Sequence, residues 1–221
     1  MLFRNPYYKK IMTEYEYKLN NFLYPLISKI NKVNILEFGV QKGRSTLKFL
    51  EICNTNDGHL FSADIDDCST VSNDPKWTFI KSRDDNFDLI KSKIPKKIDV
   101  IFLDSLHEAT HVEKIIYNYF DLLNEGGYFF IDDISHLPYL KSKDSNSFYC
   151  EINNKETFNK ILEIYNSNLD LFDLNFSFKS SGLAIIKKKT NLSIKKIDVI
   201  VTRNNSFKNI VRLLWKKLKR D

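Results

Sequence analysis

The chain has 221 residues, enough for one α/β domain with a full core and short for two. Hydrophobic residues make up 43% and aromatics 14%, which excludes a disordered chain, and no apolar run is long enough to span a bilayer. The net charge of +6 gathers in Lys187 to Lys189, Lys195, Lys196 and the stretch from Arg203 to Arg220, a solvated basic end rather than a nucleic-acid face.

Tyr7–Ile30 reads as one or two helices broken near Pro25. Val33–Phe38 reads as the first strand and Ser45–Cys53 as the helix behind it. His59–Ile65 and Trp77–Lys81 are the second and third strands, and Asn86–Ser92 is a short helix stopped near Pro95. Ile98–Leu103 is the fourth strand. A long helix is predicted from about His107 to Leu123, then a Glu125-Gly-Gly turn and a fifth strand over Tyr128–Ile131.

Residues 135–154 are polar, show no period and exceed an ordinary connection, so they are expected to form a lid or substrate loop. His136, Tyr139, Phe148 and Tyr149 would line an acceptor pocket there or form the surface of the lid. Thr157–Tyr165 resumes a helical pattern, and Leu169–Phe178 with Leu183–Ile186 reads as a hairpin turned through Ser180-Ser-Gly182. Alternating strands and helices predict an α/β, Rossmann-like, doubly wound sheet. It should have seven strands, mostly parallel, with an antiparallel edge hairpin and helices on both faces. The expected organisation is an N-terminal helical segment (1–32), the main domain (33–189) and a basic extension (190–221).

The chemistry sits at the strand ends. Glu37 comes two residues before Gly39, Gly43 follows, and Arg44-Ser45-Thr46 opens a helix. That strand, turn and helix start let a nucleotide-like ligand approach backbone closely. Asp64 closes the second strand, where a carboxylate can take a ribose diol. The glycine spacing is not the G-x-G-x-x-G of dinucleotide binders, which argues against a nicotinamide-dependent dehydrogenase. The fourth strand ends in Asp104-Ser-Leu-His107 and the fifth in Asp132-Asp133. In an open α/β sheet these ends converge on the ligand crevice. Crowded carboxylates repel unless a cation neutralises them, and oxygen ligands suit Mg²⁺ or Mn²⁺ better than zinc. The plainer alternative is that Asp104 and Asp133 cap the segments after them.

The run from Asn34 to Ser45, with Glu37 ahead of its glycines, resembles the first motif of class I S-adenosylmethionine-dependent methyltransferases. Residues 35–46, 59–66, 99–107 and 122–133 resemble the sugar and small-molecule O-methyltransferases of the macrocin type. They also resemble the wider group whose fourth strand ends in Asp-Gly-Asp-His and fifth in Asp-Asp. The resemblance covers roughly residues 30–135. It implies S-adenosylmethionine as cofactor, with Glu37 near the methionine amino group and Gly39, Gly43 and Ser45 in the loop. It also implies Asp64 on the ribose, and Ser82, Arg83 and Asp84 around the adenine. By the same match Asp104, Asp132 and Asp133 are ligands of Mg²⁺ or Mn²⁺, and the acceptor is a sugar or another small polyhydroxylated compound. One position departs, since the second aspartate of Asp-Gly-Asp-His is Leu106. Either His107 is then the general base, or the metal alone acidifies the hydroxyl beside Asp104, or transfer is lost and a binding or scaffold protein remains.

His107-Glu108-Ala-Thr-His111 also matches H-E-x-x-H, the zinc hydrolase signature, with Glu125 as a third ligand. Its position at a helix start reads better as capping: Ser105 as the cap, Glu108 favourable to the dipole and His111 on the helix surface. Cys53, Cys68 and Cys150 are scattered and odd in number, and the N-terminus lacks the apolar core of a secretory signal, so a cytoplasmic protein is expected. Phe207, Ile210, Val211, Leu214, Trp215 and Leu218 recur at helical spacing among basic residues. Such a helix packs on its own domain or a second subunit, or lies on an anionic membrane.

Overall fold

The computed structural model describes residues 13–136, 148–196 and 207–218. Its strands are β1 (Asn34–Phe38), β2 (His59–Asp64), β3 (Trp77–Lys81), β4 (Ile98–Leu103), β5 (Leu123–Asp132), β6 (Phe172–Ser177) and β7 (Leu183–Lys188). They form one seven-stranded sheet in the order β3-β2-β1-β4-β5-β7-β6. β7 runs antiparallel to β5 and β6, and the other pairings are parallel. This is the doubly wound sheet with an edge hairpin that the order of apolar runs predicts. An N-terminal helical run consists of α1 (Glu14–Lys18), a π turn (Leu19–Leu23) and α2 (Tyr24–Ile27). Further helices are α3 (Arg44–Thr55), α4 (Phe87–Lys93), α5 (Ala109–Tyr119), α6 (Phe148–Asn166) and α7 (Phe207–Leu218).

Successive side chains of a strand point to opposite faces, so each central strand serves two cores. Ile35, Val100, Phe102 and Phe130 pack with Leu19, Leu23 and Ile27 of the N-terminal run and with Phe49 and Cys53 of α3. Leu36, Phe38, Ile101, Leu103, Phe129 and Ile131 pack on the other face, with Ile90 of α4, Val112 and Ile116 of α5 and Ile161 of α6. The parity of a residue therefore decides which helices it meets.

The N-terminal run starts at a capping box. Thr13 Oγ1 accepts from the Glu16 N–H (3.2 Å), and the Glu16 carboxylate accepts from the Thr13 N–H (2.8 Å). Pro25 does not break the run, contrary to the expectation from sequence. In the π turn the Tyr24 N–H donates to the Leu19 carbonyl, so Pro25 opens the α turn that follows, where a missing N–H is tolerated.

Three other elements depart from expectation. α5 begins at Ala109 rather than His107 and gives way at Tyr119 to a 3₁₀ turn, Phe120–Leu122. The Glu125-Gly-Gly turn lies inside β5 as a bulge: Ile98 pairs with Leu123, whereas Val100 pairs with Tyr128. Buried Lys188 fixes this corner by donating to the Phe120 and Leu123 carbonyls (3.2 and 2.9 Å). Helix α6 starts at Phe148, inside the expected loop. Asn154 of that helix donates to the Ser135 carbonyl (2.9 Å), which ties its base to the sheet. Tyr139 and the side chains of Phe148 and Tyr149 lie outside the described residues. The apolar row Phe207, Ile210, Val211, Leu214 and Trp215 of α7 is exposed, so it does not bury itself on the domain. Among the described residues no helix is long and apolar enough to cross a membrane.

The β1 end carries two further constraints. Gly39 has φ +93°, and a Cβ there would lie 1.9 Å from the Asp104 carbonyl oxygen, so glycine lets the ends of β1 and β4 touch. Glu37 shares the parity of Ile35 and faces α3, fully buried. Its carboxylate accepts from Ser45 Oγ (2.5 Å), Thr46 Oγ1 (2.8 Å) and Ser62 Oγ (2.7 Å). One carboxylate thereby ties β1 to the first turn of α3 and to β2. Burial outweighs the three hydroxyls and pushes the Glu37 carboxyl up to about 7.

A carboxyl raised in the folded state holds a proton that the unfolded chain releases between pH values of about 4.5 and 7. Stability read from urea midpoints is therefore expected to fall as pH rises through that window. Glu37→Gln should flatten the slope, a difference of up to about 3 kcal/mol. Superimposable pH profiles for the two proteins would contradict this account.

Candidate active site

The ends of β1, β2 and β4 enclose a cavity of about 610 Å³, within the range of small-molecule and cofactor sites. Eight of the twelve residues expected to bind cofactor or metal or to act as base line it: Gly39, Ser45, Asp64, Ser82, Arg83, Asp84, Asp104 and His107. Glu37, Gly43, Asp132 and Asp133 stand behind it. The oxygens of Glu37 face hydroxyls rather than the cavity, with Ser45 between. A Cβ on Gly43, at φ +74°, would meet Val71 Cγ1 at 2.2 Å. Both glycines thus make room for neighbouring protein, Gly39 for backbone and Gly43 for a side chain.

Asp64 ends β2 and organises the loop after β1. Its Oδ2 accepts from the Val40 and Gln41 N–H groups (2.7 and 3.0 Å) and its Oδ1 from the Asp66 N–H (2.9 Å). Burial works against its charge, but these backbone donors prevail and hold the carboxyl below the usual carboxylate range. Asp64 is therefore a half-buried, ionised acceptor on the cavity wall. Ile65 beside it is an exposed apolar side chain on the same wall, as is Leu106.

Asp84 is nearly buried and accepts from Ser105 Oγ while its Oδ2 lies 2.8 Å from His111 Nε2. Burial opposes its charge, and the His111 and Ser105 contacts overcome it to lower the carboxyl. The Tyr119 hydroxyl donates to the Asp84 carbonyl (2.7 Å). This cluster joins the loop after β3 to the loop after β4. The Arg83 guanidinium turns to Asp85 (2.9 Å).

The acidic strand ends form a second cluster. His107 Nε2 lies 3.2 Å from Asp133 Oδ2 and 3.6 Å from Asp104 Oδ1. Asp133 has φ +58°, a left-handed conformation that aspartate tolerates, which separates it from Asp132 in direction. Asp132 shares the parity of Phe130 and meets the N-terminal run, where the Lys18 ammonium donates to its Oδ1 and to Ser181 Oγ (2.9 Å). The Tyr15 hydroxyl donates to Asp104 Oδ2 (2.8 Å). Burial raises the Asp104 carboxyl, with His107, Tyr15 and Lys18 acting against it. Burial and then repulsion from Asp104 raise Asp132, with Lys18 acting against them. The Tyr15 phenol is raised by burial and by the charges of Asp104 and Asp132, so it stays protonated and donates.

Several sequence readings are corrected by this geometry. His107 and Glu108 precede α5, so the two histidines of His107-Glu-Ala-Thr-His111 do not share a helical face. His111 turns into Asp84 and is buried rather than on the helix surface. Glu125 lies at the opposite end of the sheet and meets Asn191 (3.1 Å). A zinc hydrolase site is therefore not built here. Ser105 does not cap α5; Glu108 stands at the cap position, and Ser105 serves Asp84. His136 packs on the rings of Phe158 and Phe178 and does not line the cavity. Among the described residues no group of three or more His, Cys, Asp and Glu side chains is arranged to hold a metal ion. Sequence reasoning missed Tyr15 and Lys18. The signal was there, because both fall in the apolar row continued by Phe22 and Leu26, where a lysine is out of place.

Residues 36–134 match the family model described as a methyltransferase domain. No curated protein matches the sequence. Among solved structures the fold is similar to the MycE methyltransferase of the mycinamycin biosynthetic pathway, in complex with Mg and S-adenosylhomocysteine. Identity there is 17%, over 72% of this chain and 46% of that one, with a TM-score of 0.52. This chain thus spans less than half the length of MycE. It is also similar to the Podospora anserina methyltransferase PaMTH1 bound to S-adenosylhomocysteine (16% identity, 71% and 72% of the two chains, TM-score 0.57). A Staphylococcus aureus protein assigned as a caffeoyl-CoA O-methyltransferase is similar too (21% identity, 71% and 76%, TM-score 0.54). At such identities these likenesses speak for the fold. The family match falls on the strands and loops that enclose the cavity and takes in less than half of the chain.

Proposed function

We propose that this chain transfers the methyl group of S-adenosylmethionine to a hydroxyl of a small acceptor, a sugar or another polyhydroxylated compound. The observation that carries this reading is the His107 imidazole held between Asp104 and Asp133 beside the cofactor cavity. The likeness to the Staphylococcus aureus protein assigned as a caffeoyl-CoA O-methyltransferase supports oxygen as the accepting atom.

In this reading the loop after β1 would hold the cofactor, with Asp64 as the acceptor for its ribose diol. Ile65 and Leu106 give the adenine apolar surface, and Ser82 and Asp84 offer it polar contacts. Asp104 and His107 line the part of the cavity left for the methyl-bearing end, where the bound cofactor would supply a methyl group on a sulfonium. An acceptor oxygen attacks the methyl carbon in line with the departing sulfur, so the O–C bond forms as the C–S bond breaks. The hydroxyl proton passes to His107. With Nε2–H donated to Asp133, the imidazole keeps Nδ1 as its basic nitrogen, and Asp133 steadies the cation that results. The N-terminal run, which brings Tyr15 to the cavity wall, forms part of the acceptor side.

The expected Mg²⁺ ligands do not fit that role in this chain. Asp132 Oδ1 already accepts from the Lys18 ammonium and from the Asp133 N–H (2.8 Å), and Asp104 Oδ2 accepts from Tyr15. The step above is therefore routed through no metal. The exposed apolar row of α7, flanked by Lys208, Arg212 and Lys216, supports a further part of the proposal, that this helix lies on an anionic membrane surface.

Calorimetric titration with S-adenosylhomocysteine is expected to show saturable binding that Asp64→Ala weakens at least about tenfold. Absence of binding by the folded wild-type chain would end the methyltransferase reading. His107→Ala is expected to lower kcat about 100-fold or more towards a hydroxylated acceptor while leaving S-adenosylhomocysteine affinity unchanged. Unchanged turnover would remove His107 as the base. Phosphatidylserine vesicles should co-sediment the chain, and replacing Phe207 and Trp215 by alanine should abolish this. Equal binding to neutral phosphatidylcholine vesicles would refute the anionic-surface assignment.

A further inference from the structure

We infer that Lys18 is a built-in cation at the acidic strand ends, taking the place of a divalent metal, so that methyl transfer in this chain needs no metal ion. The inference rests on the methyl-transfer reading above and concerns how the carboxylates of that site are neutralised.

Parity brings the groups together. Asp132 follows Phe130 by two residues and Asp104 follows Phe102 by two, so both acids project to the face covered by the N-terminal run. That run answers with Lys18 on Asp132 and Tyr15 on Asp104. Lys18 is wholly shielded from solvent, and its ammonium also donates to Ser181 Oγ and lies 5.0 Å from the centroid of the Tyr15 ring. The ammonium has three protons, and Asp132, Ser181 and the ring face account for its surroundings.

The lysine is fixed by its backbone. The capping box at Thr13 sets the first turn, and the π turn begins one residue after Lys18. Leu19, Leu23 and Ile27 anchor the run in the core. A metal entering here would have to displace an ammonium whose Cα is fixed against the core.

Mg²⁺ asks for about six oxygen ligands in near-octahedral array, some of them water. Here four of the six carboxylate oxygens already face a partner. Asp132 Oδ1 receives Lys18, the Asp133 N–H and Ser181 Oγ (3.3 Å). Asp104 is divided between Tyr15 and His107, and Asp133 Oδ2 faces His107. A dication entering this cluster would meet a buried ammonium and would have to displace it.

The consequence for substrate follows from charge. An ammonium neutralises one carboxylate but does not chelate, so it offers no premium for a vicinal diol. Deprotonation of the acceptor falls to His107, and an acceptor with a single hydroxyl is served as well as a diol.

The test titrates Mn²⁺ alone into the full chain saturated with S-adenosylhomocysteine, read by water-proton relaxation. The wild type is expected to show no saturable site below about 1 mM. Lys18→Met, which keeps the bulk and removes the charge, should open a saturable site at least about tenfold tighter, while Lys18→Arg should not. A saturable wild-type site that Asp132→Asn abolishes would overturn the inference, as would folded Lys18→Met with no gain in Mn²⁺ affinity. Should Lys18→Met fail to fold, the wild-type titration with its Asp132→Asn control decides alone. Cofactor binding is measured on the same samples, so failure of the methyltransferase reading appears as lost S-adenosylhomocysteine binding, whatever Mn²⁺ does.

Discussion

Carboxylates buried at the ends of adjacent parallel strands are the constraint on which this site depends. A charge removed from water is costly unless it is paired and hydrogen-bonded. The fold meets that cost differently for each acid. Glu37 receives hydroxyls and moves towards its neutral form. Asp64 stays half in solvent and receives backbone N–H groups. Asp84 receives Ser105 and His111. Asp132 receives an ammonium from the opposite side of the core. The chemistry available at each strand end follows from which of these partners arrives.

Much of this was legible in the sequence because it rests on local periodicity. Trp77–Lys81 and Ile98–Leu103 read as strands and are the strands observed. Their apolar runs end at polar residues that face the cavity, a pattern within reach of a single window. The bulge in β5 was not legible, because the pairing of Val100 with Tyr128 depends on the neighbouring strand. The start of α5 was misplaced for a related reason. His107 and His111 are four residues apart, as on one helix face, but each is claimed by a different carboxylate from a distant segment.

The glycines show a subtler limit. Gly39 and Gly43 were read as clearing space for a ligand. Their absent Cβ atoms point instead at the Asp104 carbonyl and at Val71, both supplied by other strand connections. Glycine spacing marks a loop that must bend with positive φ, and it does not say what fills the room that results. The loop after β1 is shaped first by packing between β1, β4 and the turn before β3. Its backbone donors are then drawn onto Asp64, which fixes the wall that a ribose would meet.

Lys18 was the least legible residue and the one that changes the chemistry most. Three acids at two strand ends imply a cation, and charge balance alone cannot say whether that cation is a metal or a side chain. Geometry distinguishes them. A metal would draw Asp104, Asp132 and Asp133 around one point, whereas the left-handed backbone at Asp133 sends its carboxylate to His107. The acids are divided among three partners, each with its own role: Lys18 neutralises Asp132, Tyr15 orients Asp104, and Asp133 holds the imidazole. A divided cluster gives up the strong acidification that a dication supplies. In the proposed transfer it gains a base already aligned by its carboxylate, with Asp132 neutralised before any acceptor arrives. Such a site suits an acceptor whose hydroxyl is positioned by contacts to the rest of its structure, because little at the reacting oxygen itself is left to hold it.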